Sequence, residues 1–105
     1  MSRLVYLDNA ATTQTYPEVV DAMLPYFTEH YGNPSAIYSF ADEAERAVDA
    51  ARGKVADLIG AGKDEIYFTG GGSEADNWAL KATAEAYRPK GKHIITSKIE
   101  HHAIL

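Results

Sequence analysis

Apolar residues recur along this chain with two different periods. Ala44, Val48, Ala51, Val55 and Leu58 return every three or four positions, while Asp42, Glu45, Arg46, Asp49, Arg52 and Asp57 fall mostly between them. That is the period of a helix with one apolar stripe, and it predicts a helix over Ala41 to Ile59. Gly53 weakens its middle by about 1 kcal/mol relative to alanine, and Gly60 and Gly62 mark its end. Val19, Val20, Met23, Leu24 and Phe27 form an earlier stripe. It opens at Pro17, a residue suited to the first helical position because its missing N–H is not needed there. Pro25 inside the stripe predicts a break or kink. A further helix is expected from about Glu74 to Tyr87, closed by Pro89 and Gly91. Three short runs rich in residues that favour a pleated surface, Leu4 to Leu7, Glu65 to Thr69 and His93 to Ser97, read as strands. Strand, two helices, strand, helix, strand and a helix start at His101 predict an α/β fold with a largely parallel sheet. Asp8 to Thr15 and Gly32 to Ser35 are turns.

Composition narrows the picture. The chain has 105 residues, 46% hydrophobic and 24% charged, which suits one small domain or part of a larger one and is too apolar for a disordered tail. A net charge of -5 and the lack of a clustered Lys/Arg face argue against nucleic acid as a partner. With no cysteine, the chain has no disulfide framework, no thiolate metal site and no thiol nucleophile of its own. No run approaches the length of a membrane span, and the opening residues lack the apolar core of a secretory leader. The expectation is an acidic, soluble, cytoplasmic protein without a metal or membrane partner. His101 to Leu105 read as the first turn of an amphipathic helix with no further turns after it, which is expected of a truncated chain.

Candidate chemistry lies at two points. Phe68-Thr69-Gly70-Gly71-Gly72-Ser73-Glu74-Ala75-Asp76-Asn77 runs from a strand through three glycines into a helix start. Glycines admit positive φ and close approach of an anion, and the free N–H groups of a first helical turn favour phosphate. The run is neither a Walker A loop nor a G-x-G-x-x-G fingerprint. Ser73 with Asp76 three residues on also nearly matches a capping box that needs no ligand. Both readings stand on the residues alone. His101 would lie beyond the carboxyl end of the His93 to Ser97 strand, where open α/β sheets bind ligands. It reads equally as a surface histidine, and adjacent His101 and His102 do not share a helix face as a metal pair would.

Four ordered segments add a family resemblance. Tyr6-Leu7-Asp8-Asn9-Ala10-Ala11-Thr12-Thr13, Tyr31-Gly32-Asn33-Pro34-Ser35, Ile66 to Asn77, and His93 to His101 resemble successive motifs of the cysteine desulfurases. These are class V enzymes of the aminotransferase fold that depend on pyridoxal 5'-phosphate (PLP). The match covers about the first quarter of a family member. The resemblance implies a truncated fold-type I PLP-transferase. Residues 1–15 would form an amino-terminal segment and residues 16–105 the start of the PLP-binding large domain, with a mostly parallel sheet and flanking helices.

It also implies roles at matching positions. Gly72 and Ser73 would hold the cofactor phosphate, and His101 would stack on the pyridine ring and assist proton transfer. Ala11 and Thr12 would lie on the substrate side, and Asn33 would shape a loop near the interface of a homodimer. The parent enzyme would convert L-cysteine to L-alanine and pass persulfide sulfur to an acceptor protein for iron–sulfur cluster assembly.

The chain departs from the family in places. Gly72-Ser73 stands where Ala-Thr is usual. Tyr38 and Ala41 replace a usual His and Gly, so Tyr38 cannot serve as an imidazole base. The Schiff-base lysine belongs to a later motif, and none of Lys54, Lys63, Lys81, Lys90, Lys92 or Lys98 lies in it. By the same resemblance, neither the Glu65 to Thr69 nor the His93 to Ser97 strand keeps its sheet neighbours within these residues. The alternatives are a related class V enzyme, such as a selenocysteine lyase or small-molecule aminotransferase, and a non-catalytic interaction module.

Overall fold

Proline sets the first two helical segments. In the computed structural model, which describes residues 3–105, α1 spans Pro17–Met23 and α2 spans Pro25–Thr28, each with proline at its start. The break expected at Pro25 falls between them. Leu24 ends α1 with its N–H on the Val20 carbonyl (3.1 Å), and Pro25, having no N–H, cannot extend that ladder. The Pro25 carbonyl then accepts from Glu29 (2.8 Å) and His30 (2.9 Å), and the chain turns into Tyr31 and Gly32.

The long apolar period becomes α3, Ser39–Ile59, two residues longer at its start than the spacing predicts. It ends on Gly60 at φ 68°, in the left-handed region. The Ala61 N–H reaches the Ala56 carbonyl at 2.9 Å and the Gly60 N–H the Asp57 carbonyl at 3.4 Å. This is a Schellman ending, which satisfies carbonyls the helix would otherwise leave open. Lys63 pairs with Asp49 back along the helix.

The chain divides into two compact units, the first ending at Lys63 and the second running Asp64–Leu105. A 3-10 turn, Lys63–Glu65, crosses the boundary, and the second unit continues with the glycine loop, α4 (Gly72–Ala86) and a 3-10 turn, Arg88–Lys90. Tyr67 meets Trp78 of α4 edge-on, ring centroids 5.3 Å apart, which ties the segment entering the loop to the helix leaving it.

The expected sheet is not formed among the described residues. Leu4 to Leu7, Ile66 to Thr69 and His93 to Ser97 carry no strand, and Glu65 lies in a 3-10 turn. A helix closes its hydrogen bonds within one segment, whereas a strand depends on a neighbour. Burial is correspondingly thin. Among the described residues the buried apolar side chains are Ala41, Ala44, Ala56 and Ile66. Of the predicted α3 stripe, Ala44 is covered, whereas Val48, Val55 and Leu58 are exposed.

Candidate functional site

The glycine loop enters α4 without a cap. Gly71 occupies the N-cap position, and no side chain accepts from the first helical turn. Ser73 is the second helical residue, so the capping box with Asp76 does not form. The N–H groups of Gly72 and Ser73 are left for an external acceptor. The loop orders itself by other bonds. The Glu74 carboxylate accepts from the Gly70 N–H at 2.7 Å, and the Thr69 hydroxyl donates to the Gly71 carbonyl at 3.0 Å.

Gly71 is extended, at φ 164°, and none of the three loop glycines occupies the left-handed region. A Cβ at Gly71 or Gly72 would meet nothing within 4 Å. What these two glycines provide is open space over the helix start, where a ligand can approach the backbone.

His101 belongs to the same compact unit. It opens a turn closed by the Ile104 N–H on the His101 carbonyl (2.9 Å), and its Nδ1 accepts from the Ala103 N–H at 3.1 Å. A ring nitrogen that accepts is unprotonated, so the neutral imidazole carries its hydrogen on Nε2 and can donate there. The segment before it is held by Ser97. Its hydroxyl donates to Glu100 Oε1 (2.9 Å) and accepts from the Ile99 N–H (3.3 Å).

Asn77 joins the two features. Its Nδ2 donates to the Ser73 carbonyl at 2.9 Å and to the Ala103 carbonyl at 3.1 Å. The helix start that would hold a phosphate and the turn that carries His101 are therefore linked through one side chain. The sequence reading includes Asn77 in the loop motif and assigns it no role. The available signal is its place one turn after Ser73 on the same helix face.

The substrate-side candidates lie in the first unit. Ala11 and Thr12 sit in a turn in which both backbone N–H groups reach the Asp8 carbonyl (3.1 and 3.4 Å). The Thr12 and Tyr6 hydroxyls share a 2.6 Å hydrogen bond. The Asn33 side chain accepts from the Ser35 N–H at 3.0 Å, and the Ala36 N–H returns to the Asn33 carbonyl at 3.0 Å. Asn33 thus builds its own turn.

A cavity of about 820 Å³ lies along the later part of α4, lined by Leu80, Ala84, Tyr87, His93 and Ile94 among others. It shares no residue with Gly72, Ser73, Asn77 or His101. Among the described residues no three acidic or histidine side chains group as a metal site, and no helix is long and apolar enough to cross a membrane.

Known proteins are similar to this chain. A cysteine desulfurase IscS of Clostridium botulinum (strain Kyoto / Type A2) is 60% identical over 105 residues, covering 100% of this chain and 26% of that protein. The cysteine desulfurase IscS of Methanosarcina thermophila is 59% identical over 104 residues, 99% of this chain and 26% of its own length. A solved NifS-like protein superposes with a TM-score of 0.83 at 38% identity, covering 91% of this chain and 26% of that one. The chain thus spans about a quarter of the length of the relatives it matches. The family model for class-V aminotransferases matches residues 5–105, and the chain belongs to that family.

Proposed function

We infer that these residues are the opening quarter of a PLP-dependent cysteine desulfurase and supply the phosphate cradle and the ring-stacking histidine of its cofactor site. The observation that carries this reading is the uncapped first turn of α4 at Gly72 and Ser73, joined through Asn77 to the His101 turn. The donors suit a phosphate: two backbone N–H groups at a helix start, with the Ser73 hydroxyl beside them. The Glu74 carboxylate already holds the Gly70 N–H, so the Gly72 and Ser73 groups carry the binding.

When bound, PLP supplies the electron sink that labilises the carbon–sulfur bond of L-cysteine. His101 would stack its imidazole on the cofactor ring, and its Nε2–H could pass a proton there. Ala11 and Thr12 lie on the substrate side, and Asn33 shapes its loop near a homodimer interface. The complete enzyme yields L-alanine and a protein-bound persulfide, passed to an acceptor protein in the cytoplasm. Residues 1–15 then form an amino-terminal arm, and residues 16–105 begin the cofactor domain with its mostly parallel sheet. These 105 residues contain no cysteine, so the persulfide forms on another segment and this stretch alone does not turn over.

Titration of the complete apoenzyme with PLP, followed by assay of alanine from L-cysteine, tests the reading. Ser73→Ala should weaken PLP binding by about 10- to 100-fold, the range of one hydrogen bond to a charged group. Ser73→Asp, which sets a like charge against the phosphate, should weaken it by about 100-fold or more. Unchanged affinity in Ser73→Asp, or a complete chain that releases no alanine, overturns the assignment.

A further inference from the structure

We propose that Asn77 is a positioning residue that sets the spacing between the phosphate-binding turn and His101, an inference that rests on the PLP reading above. Asparagine is a weak helix former, yet it stands one turn inside a 15-residue helix otherwise rich in alanine. Its side chain is half-buried, and its two amide hydrogens go to two different segments. One reaches the Ser73 carbonyl one turn back, which locks the side chain against its own helix. The other reaches the Ala103 carbonyl, 26 residues away in sequence. The opposite amide orientation would aim the Asn77 oxygen at two carbonyl oxygens, so the acceptors themselves dictate that the nitrogen faces them.

Ala103 is held at both ends. Its carbonyl takes the Asn77 hydrogen, and its N–H is taken by His101 Nδ1. The chain of contacts therefore runs from Ser73 through Asn77 and Ala103 to the imidazole. Among the described residues, the Asn77–Ala103 bond is the hydrogen bond found between α4 and the His101 turn. A cofactor whose phosphate and ring are covalently joined has a fixed length. Both ends are met only if the two protein segments keep a matching separation, and a donor shared between them provides that. The same bond holds Ala103 where it orients the histidine ring and keeps Nε2 as the donor.

The test is a double-mutant cycle on PLP affinity in the complete apoenzyme. Asn77→Ser retains a hydroxyl that can bond back to the Ser73 carbonyl but is too short to reach Ala103, so it removes the link and spares the helix. Asn77→Ser and His101→Ala should each weaken PLP by about 10-fold, and the double variant by about 10-fold rather than 100-fold, because both remove the same ring contact. Hydrogen exchange of the Ala103 amide in the cofactor-free protein should quicken in Asn77→Ser. Asn77→Asp, close in shape but without donors, should reproduce the affinity loss and serves if the serine variant does not fold. Losses that multiply, or full affinity in Asn77→Ser or Asn77→Asp, overturn the positioning role. Failure of the unsubstituted apoenzyme to bind PLP overturns instead the functional reading on which it rests.

Discussion

At Gly32 a single hydrogen atom decides the local path. A Cβ there would lie 2.6 Å from the Phe40 carbonyl oxygen and 3.0 Å from the Ala41 Cα. Both are backbone atoms that cannot swing aside. Gly32 opens the Gly-Asn-Pro-Ser turn, and that close approach brings the turn against the start of α3, where Ala41 is almost fully buried. The Ala41 methyl is accommodated at that contact. Gly32→Ala should cost about 1–3 kcal/mol, the range for overpacking a filled site. Denaturant unfolding of the complete protein would show this as a lower midpoint, and an unchanged midpoint would mean that the turn yields without cost. Ser73 and His101 behave differently. Both are exposed, and the residues around them do not require their identity. Under the proposed function their role lies in what they offer to a ligand, and packing gives no sign of such a role.

At the scale of elements, the helices form where the apolar period and the end signals agree. α3 carries its period to Ile59 and stops on Gly60 because the left-handed conformation there lets Gly60 and Ala61 close back onto Asp57 and Ala56. Gly60→Ala keeps the hydrogen-bonding groups but places a Cβ in that conformation, at a cost of about 1–2 kcal/mol. The expected outcome is a drop of that size in the unfolding free energy, with helix content by circular dichroism nearly unchanged. A neutral substitution would show that the ending is set by the Lys63–Asp49 pair and not by the glycine. The start of α4 is the counterpart. Its end signals were legible as glycines followed by Ser73, yet the residue that caps it, Gly71, caps with no side chain. The sequence alone supports a capping box equally well. The choice between them depends on where Glu74 and Asn77 send their side chains: Glu74 turns back to Gly70, and Asn77 reaches across to Ala103.

At the scale of the whole molecule, apolar surface is left without cover. Leu4 and Leu7 near the start, Ile37 before α3, and Ile95 and Ile99 near the end are all more than four-fifths exposed. Four buried apolar side chains among the described residues make a small core, and unshielded apolar patches favour association. By the family resemblance, two of the segments that read as strands, Glu65 to Thr69 and His93 to Ser97, would pair with strands contributed from elsewhere in the full-length fold. The 105-residue chain should therefore self-associate. Sedimentation velocity across a concentration series should show species heavier than the 11.5 kDa monomer, and hydrophobic dye fluorescence should be strong. A monomer at all concentrations with weak dye binding would show that these faces are satisfied within the chain.

Local physical chemistry was enough to place α1 to α4, the break at Pro25 and the ending at Gly60, whereas the helix expected from His101 is only a turn. Each depends on residues within a few positions of one another, so spacing alone encodes it. Neighbours distant in sequence settled the rest. Asn77 looks like an ordinary helix residue until the Ala103 carbonyl is brought to it, and the pairing of Glu74 with Gly70 depends on the path of the loop. The strand-like runs stayed unpaired among the described residues because a β-ladder needs a second segment at hydrogen-bonding distance, and an apolar run by itself cannot provide one.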